Sequence, residues 1–322
     1  MPATAKGSFI IATRASELAL RQARQLQHAL ETRGVVSTLK TYRTVGDKRL
    51  NEPLNAIGAK GLFTKELETD LLKGKVQCCV HSLKDLPTDS PPGLEIVALL
   101  PREDPRDVLI VNDLVGASSI DELPPGSRVG TSSLRRRAQL LATRRDLEVV
   151  ELRGNVPTRV KKVDEGHVLA AILAAAGLHR LDISQRITAY LDAPQWLPAA
   201  GQGAIAIQIR RDDDAARALL APLADRATMI DTTAERAFLA ALEGGCQVPI
   251  GALAMSSGDA RVLHGFIADV TGKRIVRGEI ALDVAEPELS GIRLANDFRH
   301  RGASDILESL RRADHLPSPQ PE

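Results

Sequence analysis

Short apolar runs alternate with segments of helical periodicity along the first two thirds of the chain. The run from Phe9 to Ala12 is followed by a segment in which apolar residues recur at helical spacing, at Ala19, Ala23, Leu26 and Leu30. This spacing is typical of a helix with one buried face, and a short apolar run between polar residues is typical of a buried strand. Further runs of this kind lie at 76–82, 94–100, 108–111, 128–130, 148–152 and 168–174. Strands that alternate with helices predict two α/β domains.

The pattern changes after Pro222. Thr232 and Glu235 have the spacing of a capping box, which predicts that a helix begins there, with an apolar face formed by Ala234, Ala237, Phe238 and Ala241. Three strands are predicted near 252–255, 261–269 and 273–282, and two helices near 289–301 and 304–311. This arrangement indicates a smaller α+β domain.

Two polar or glycine-containing stretches predict where the chain passes between domains. Pro101–Asp107 is bracketed by prolines, and Leu197–Gln208 contains a glycine turn before an alternating segment that we expect to return to the first sheet. The predicted division is a discontinuous first α/β domain at 1–101 plus 202–220, a second at 107–198, the α+β domain at 222–316 and a disordered tail at 317–322.

One predicted strand delivers charged residues at its end. The apolar run that contains Cys78 and Cys79 continues into Ser82, Lys84 and Asp85 before Pro87 stops it. In open α/β sheets, ligands bind beyond the carboxyl ends of the strands, so these side chains are candidates for chemistry. The alternative is a strand-to-turn junction with a solvated lysine–aspartate pair.

Basic residues recur at predicted strand ends, often beside hydroxyl residues at helix starts. Ser16 is a candidate N-cap beside Arg14, and Thr131, Ser132 and Ser133 precede a helix that begins with arginines. These hydroxyls can also be simple caps, and the arginines a solvated helix face. Several cations at one edge indicate a ligand with several carboxylates. The strand-end cations are Arg14, Lys84, Arg135, Arg136, Arg153, Arg159 and Arg180.

Composition narrows the function classes. The 322 residues are 43% hydrophobic and 26% charged, and the net charge of +1 gives no overall field for a nucleic acid. Aromatic residues make up 2% of the chain, which leaves few platforms on which bases can stack. No apolar run has the length of a membrane span, and Met1–Gly7 lacks the features of a targeting peptide, so we expect a cytoplasmic protein.

The three cysteines predict neither a disulfide framework nor a metal site, because their number is odd and no Cys-x-x-Cys spacing occurs. Cys78 and Cys79 lie in an apolar run, whereas Cys246 lies among glycines in a predicted loop. An exposed loop favours a reactive or covalently modified thiol at Cys246 over an inert one. A Cys–His hydrolase is a weaker interpretation, since no histidine is spaced near it.

Five motifs together resemble the porphobilinogen deaminase family, whose enzymes are also called hydroxymethylbilane synthases. The resemblance extends from Ile10 to about Arg311, with the motifs in the family's order and spacing. The motifs are His81–Pro87, Val129–Arg136, Leu152–Val156, Ala199–Gly203 and Leu242–Gly251.

The resemblance implies a fold, a cofactor and a reaction. Two domains are expected to have the doubly wound topology of periplasmic solute-binding protein lobes, with the active cleft between them, and a smaller α+β domain follows. Cys246 is expected to carry a dipyrromethane cofactor through a thioether. Four porphobilinogen molecules are then joined, each with loss of ammonia, to give hydroxymethylbilane. The family expectation is a monomer that acts on this small molecule without nucleic acid, membrane or metal.

The resemblance also implies roles for individual residues. Asp85 is expected to stabilise the cationic azafulvene and to move the pyrrole N–H proton. The expected cofactor-binding residues, besides Cys246, are Ser82, Lys84, Thr131, Ser132, Ser133, Arg135, Arg136 and Arg180. The expected substrate-binding residues are Arg14, Ser16, Lys60, Arg153, Arg159 and Gln202. Ala56 departs from the lysine that many relatives carry in the loop at 44–60.

Two other classes of function compete with this interpretation. A solute-binding module without catalysis would use the same α/β lobes and anion-binding groups, but it would need neither a covalent cofactor nor Asp85. A nucleic-acid-binding protein would use the basic region from Arg135 to Lys162, which the neutral net charge and the scarcity of aromatics disfavour.

Overall fold

The computed structural model describes residues 8–44, 64–242, 248–258 and 260–312. The predicted strands and helices occur in the predicted order, and a short strand at 189–191 and a helix at 214–220, which were not predicted, occur in addition. The strands are β1 (Phe9–Arg14), β2 (Ser37–Tyr42), β3 (Cys78–Ser82), β4 (Leu94–Leu99), β5 (Asp107–Val111), β6 (Arg128–Gly130), β7 (Glu148–Val150), β8 (Ala170–Ala174), β9 (Ala189–Leu191), β10 (Ile205–Arg210), β11 (Ile250–Ser257), β12 (Ala260–Ala268) and β13 (Ile275–Ala281). The helices are α1 (Glu17–Glu31), α2 (Lys65–Leu72), α3 (Leu134–Thr143), α4 (Val156–Asp164), α5 (Ala175–Arg180), α6 (Asp214–Leu220), α7 (Arg226–Ala241), α8 (Pro287–Phe298) and α9 (Ser304–Arg312).

These elements form two compact units. Of the described residues, the first unit contains 8–44, 64–102 and 204–228, and the second contains the remainder. Two five-stranded sheets and one three-stranded sheet are present among them. The three-domain division given by the sequence, with its boundaries, stays a prediction.

The first unit is built on a sheet with the strand order β2-β1-β3-β10-β4. Strands β2, β1 and β3 are parallel, and β10 lies antiparallel between β3 and β4, so the expected return of the chain to this sheet is confirmed. Successive residues of a strand point to opposite faces. Ile11 therefore packs with Leu26 of α1 on one face, and Ala12 packs with Leu67 of α2 on the other. Helices on both faces make this a doubly wound sheet.

The second unit contains a similar sheet, with the order β7-β6-β8-β5-β9. Its strands β7, β6 and β8 are parallel, and β5 runs antiparallel to β8 and β9. Leu140 of α3 packs with Val129 on one face, whereas Val160 of α4 packs with Ile110 on the other. The α/β fold class with two doubly wound sheets is thus confirmed.

The smaller sheet, also in the second unit, is the antiparallel β11-β12-β13. Its covering helices α7 and α8 contribute Phe238 and Phe298, whose rings meet edge to face with centroids 5.1 Å apart. This smaller α+β arrangement also agrees with the predicted fold class.

The predicted capping box at Thr232 is wrong, because α7 begins at Arg226 and that segment lies in its middle. The Asp225 carboxylate, just before α7, accepts a hydrogen bond from Thr228 N at 2.8 Å. Glu235 is instead fully buried and accepts bonds from Gly201 N and Ala254 N at 2.7 and 2.9 Å. The spacing of a capping box is also the spacing of neighbours along one helix face, so the motif alone does not locate the start.

Candidate functional site

Lys84 and Asp85 lie, as predicted, directly beyond a buried strand. They belong to a single turn of 3₁₀ helix at Leu83–Asp85 that continues from β3. The buried side chains of Leu83 and Leu86 flank the pair, and Leu83 N donates to Ala204 O at 3.0 Å. Leucine anchors on both sides fix the backbone, while Lys84 and Asp85 remain half-buried. A charged pair held in this way is pre-organised for chemistry.

The same edge of the first sheet carries further predicted site residues. Because β1 and β3 are parallel, Arg14 at the end of β1 and Ser82 at the end of β3 lie at one edge. Ser16 caps α1 and accepts from Ala19 N at 3.4 Å, as predicted. Ser82 Oγ accepts from Gln22 Nε2 at 2.8 Å. The sheet edge at which Asp85 lies therefore also carries Arg14, Ser16 and Ser82.

A buried polar chain that was not predicted lies behind this edge. His81 Nε2 bonds to Gln208 Oε1 at 3.0 Å, and Gln208 Nε2 donates to Glu68 Oε1 at 3.1 Å. Thr64, before α2, donates its hydroxyl to Glu68 Oε2 at 3.0 Å and makes no side-chain cap. Since the Gln208 amide donates to a carboxylate, its oxygen accepts the His81 Nε2 proton. Burial lowers the pKa of His81 to about 4, and the nearby Arg14 charge acts in the same direction.

We expect the neutral His81 to make stability depend on pH. An unfolded histidine titrates near pH 6.5, so below that pH the unfolded state takes up a proton that the folded state refuses until about pH 4. The contribution of the neutral His81 to the free energy of unfolding is therefore fully present well above pH 6.5, and it falls by about 2.5 kcal/mol on acidification to pH 4.5. Urea titrations followed by circular dichroism should show a smaller loss in His81→Gln. The matched control is His28→Gln at an exposed position of α1. Equal losses in wild type and His81→Gln would contradict this.

The hydroxyl residues before α3 make local hydrogen bonds, as expected if they serve as simple helix caps. Ser133 is the N-cap of α3 and accepts from Arg136 N at 3.5 Å. Thr131 Oγ1 accepts from Ser133 N at 3.2 Å, and Ser132 donates to Leu152 O at 2.9 Å. These bonds hold the loop that connects β6 to α3.

The arginines of α3 meet a buried carboxylate that the sequence analysis missed. Arg135 Nη1 donates to Asp107 Oδ2 at 2.6 Å, and Arg136 Nη2 donates to Asp107 Oδ1 at 2.7 Å. Trp196 Nε1 and Gln202 Nε2 also donate to Asp107, both at 2.8 Å. Asp107 is the first residue of β5 and is fully buried. Its only sequence signal was a carboxylate directly before an apolar run.

Asp107, Arg135 and Arg136, which we call the Asp107 cluster, remain ionised. Burial alone raises the pKa of Asp107, but the Arg135 and Arg136 guanidiniums outweigh it and hold that pKa well below the usual range. Two guanidiniums facing one carboxylate leave one positive charge in excess.

Two buried arginine nitrogens in the second unit indicate whether it can bind an anionic group. Within the described residues, neither Arg136 Nε nor Arg180 Nε has a hydrogen-bond partner. Arg180 uses another nitrogen, Nη2, to donate to Gly203 O at 2.7 Å. Unpaired buried donors are costly. Together with the excess charge of the Asp107 cluster, they fit a ligand that carries carboxylates.

A second group of cations surrounds the turn between β7 and α4. Asn155 caps α4, and Arg159 Nε donates to Gly154 O at 2.8 Å. Arg153 pairs with Glu151 at 3.4 Å. Lys162, which was not among the predicted site residues, donates to Arg153 O at 3.1 Å. The structure thus brings Arg153 and Arg159 to one turn and adds a lysine to them.

Some predictions fall outside the described residues, among them Lys60, Cys246 and the tail. In the described ranges, no cluster of histidine, cysteine or acidic residues has the grouping that a metal ion requires. No helix in those ranges combines the length and the apolar character needed to cross a membrane. Cys78 and Cys79 are buried, as expected, and burial raises the pKa of both thiols.

Comparison with known proteins gives two family matches and close relatives. The family model "Porphobilinogen deaminase, dipyromethane cofactor binding domain" matches residues 9–218, and that of the C-terminal domain matches 229–300. Porphobilinogen deaminase of Syntrophotalea carbinolica is 46% identical over 311 residues, which cover 96% of this chain and 97% of that protein. The enzyme of the same name from Syntrophobacter fumaroxidans is 47% identical over 305 residues, covering 94% and 98%.

Solved structures align more loosely. The methionine-binding protein MetQ aligns at 15% identity and a TM-score of 0.43, over 71% of this chain and 93% of its own. The VFT2 domain of Bordetella pertussis BvgS aligns at 16% identity and a TM-score of 0.42, over 67% and 86%. The two family models cover most of the sequence in order, and the relatives match almost end to end. The chain belongs to the porphobilinogen deaminase family.

Proposed function

We propose that the protein joins four porphobilinogen molecules head to tail, with loss of ammonia, into hydroxymethylbilane for tetrapyrrole synthesis. The family matches supply the reaction. The observation that carries the assignment of residues is the position of Asp85, a half-buried carboxylate fixed between two buried leucines beyond a strand end. Cations and hydroxyls at the same sheet edge complete the chemistry that this reaction needs.

The basic side chains of both units are suited to binding the carboxylates of the substrate. Each porphobilinogen carries an acetate and a propionate, and arginine binds carboxylates through two parallel hydrogen bonds. In the first unit we assign this task to Arg14, with Ser16 beside it. In the second unit we assign it to Arg153 and Arg159, with Gln202 contacting the Asp107 cluster. Lys60 is assigned from the resemblance alone.

Asp85 is the proposed catalytic residue. Loss of ammonia from the aminomethyl group leaves positive charge on the substrate, and a carboxylate beside that charge lowers the barrier. The same carboxylate can take and return the pyrrole N–H proton as the new carbon–carbon bond forms. Lys84 adjoins Asp85 in the 3₁₀ turn, so a proposed cofactor contact lies directly beside the proposed catalytic residue.

When bound, dipyrromethane would supply the pyrrole ring to which the first substrate is joined, and each later substrate would join the ring added before it. Cys246 is the proposed thioether attachment, as the resemblance implies. The excess charge of the Asp107 cluster and the unpaired nitrogens of Arg136 and Arg180 support binding of its carboxylates in the second unit. The remaining proposed contacts are Ser82, Lys84, Thr131, Ser132, Ser133 and Arg135.

We also propose that the protein acts as a monomer in the cytoplasm, with a small-molecule substrate and no nucleic-acid partner. The family resemblance is the support for the monomer. The near-neutral net charge and the 2% aromatic content support the exclusion of nucleic acid.

Intact mass under denaturing conditions tests the cofactor assignment. Protein from cells that make porphobilinogen should carry an excess of two linked pyrrole units and should react with an aldehyde reagent for pyrroles. Cys246→Ser should have the bare polypeptide mass, whereas Cys78→Ala, at a buried core cysteine, should keep the excess. Bare mass in the wild type would instead support a binding protein without this cofactor.

A further inference from the structure

The turn between β12 and β13 touches the backbone of α3. We call residues 268–275 the docking hairpin. Gly272 in this turn has a φ of +68°, and a Cβ placed on it would lie 2.3 Å from Ala138 O and 2.7 Å from Ala142 N. Real Cβ atoms do not approach backbone atoms so closely, so glycine at this position allows two backbones to meet.

The docking hairpin is held in a defined shape. Asp269 accepts from Thr271 N at 2.9 Å and from the Thr271 hydroxyl at 2.7 Å. It also accepts from Lys273 N at 3.2 Å and Arg274 N at 3.0 Å. A carboxylate that binds four groups of its own turn limits the conformations of that turn. The hairpin is therefore a rigid support.

Side chains reinforce the contact with α3. Arg137 Nε donates to Val270 O at 3.3 Å, and Ala138 packs in an apolar cluster with Phe266 of β12. Gln139 Nε2 donates to Leu197 O at 3.0 Å, and Leu197 N donates to Gln139 Oε1 at 2.8 Å.

The carbonyl oxygen of Leu197, which accepts from Gln139, links that residue to the arginine pair. It also accepts from Arg135 Nη1 at 2.6 Å, and the same nitrogen donates to Asp107. Contacts of less than 4 Å thus run from the docking hairpin through α3 to the Asp107 cluster. Helix α3 is restrained at its start by the two arginines and one to two turns later by Gly272.

We propose that the docking hairpin is a positioning element that sets Arg135 and Arg136 for their anionic ligand, with Gly272 as the residue that determines the spacing. The inference rests on the proposed function, because the ligand is the one assigned there. A side chain at 272 must displace α3 by several tenths of an ångström or more, since its backbone neighbours cannot rotate away. Displacements of about 1 Å far from the reacting atoms can cost about 100-fold in rate.

Gly272→Ala is the direct test, and Gly258→Ala is its matched control. Gly258 lies in the other turn of the same sheet at a φ of +60°, but an added Cβ there meets no described atom within 4 Å. Both variants share the cost of alanine at positive φ, and only the first creates the clash. Because the dipyrromethane carboxylates assigned to these arginines also fix the ring to which the substrate is joined, we expect Gly272→Ala to raise the KM for porphobilinogen and lower kcat/KM about tenfold or more. Gly258→Ala should remain within about twofold of wild type.

Two further readouts separate positioning from simple loss of stability. Trp196, the only tryptophan, donates to Asp107, so its emission in the native protein should shift in Gly272→Ala and not in the control. Asp269→Asn weakens the turn without adding an atom and should change KM and emission in the same direction, which keeps the test usable should Gly272→Ala fail to fold. A merely destabilised variant would lose active fraction and kcat at unchanged KM, and its folded fraction would keep the emission of the wild type.

Failure of the positioning role and failure of the proposed function give different experimental results. If Gly272→Ala and Asp269→Asn keep the KM and emission of the control while the wild type carries its covalent mass and turns over, the docking hairpin is not a positioning element. If the wild type has bare mass and no turnover, the proposed function fails, and this inference fails with it.

Discussion

Asp85→Asn is expected to lower kcat by about 10²- to 10⁴-fold while the affinity for porphobilinogen changes little. Asparagine has nearly the size of aspartate, so the turn between Leu83 and Leu86 should keep its shape. It carries no charge to stabilise the cation left by ammonia, and it cannot hold the pyrrole proton. Initial rates of ammonia release, measured on protein whose covalent mass has been verified, give kcat and KM separately.

The matched control for Asp85 is Asp89→Asn. Asp89 is an exposed carboxylate four residues further on, beyond the 3₁₀ turn. Its removal changes the net charge equally, so any general effect of charge should appear in both variants. Wild-type turnover in Asp85→Asn would contradict the catalytic assignment. Loss of substrate affinity at unchanged kcat would instead make Asp85 a binding residue.

Asp107→Asn is expected to destabilise the second unit by about 3–5 kcal/mol, because it leaves two buried guanidiniums without their counter-charge. Urea unfolding followed by Trp196 fluorescence measures this locally, since that indole donates to Asp107. The control Asp192→Asn removes an equally short ion pair, 2.7 Å from Arg106, whose carboxylate is 69% exposed. It should cost less than about 1 kcal/mol. Equal effects would show that the Asp107 cluster is no stronger than a surface pair.

The charge of the Asp107 carboxylate should also make the stability of the protein depend on pH in the acid range. The pKa of Asp107 is lower in the folded state than in the unfolded chain, so its contribution to stability is present above about pH 4 and is lost as the pH falls below that value. Asp107→Asn has no proton to take up at this position. We therefore expect the difference in stability between the variant and the wild type to shrink in acid.

Local chemistry made several features predictable. Ser16 and Ser133 cap helices, and Lys84 and Asp85 follow a buried strand as their order in the chain indicates. The strand-end arginines were also found, because a polar residue directly after an apolar run is visible in the sequence. Each of these features depends on neighbours within a few positions.

Long-range partners were not predictable in this way. Asp107 meets Arg135 and Arg136 across about 28 positions and Gln202 across 95. His81 meets Gln208 across 127 positions. A buried carboxylate or amide is identified only when its partner is known, since an isolated polar residue in a sequence is usually solvated. The Thr232 motif shows the opposite error, because a local signal persisted inside a longer helix.

The sequence by itself determined the alternation of strands and helices, the strand ends that carry charge and the family to which the motifs belong, because those properties reside in short segments. Only the tertiary structure decided that Arg135 and Arg136 share one buried carboxylate and that Gly272 lies against α3. Charges can be buried only where counter-charges and donors converge, and backbones can meet only where a side chain is missing. Both conditions depend on segments that are distant in the chain and adjacent in the fold.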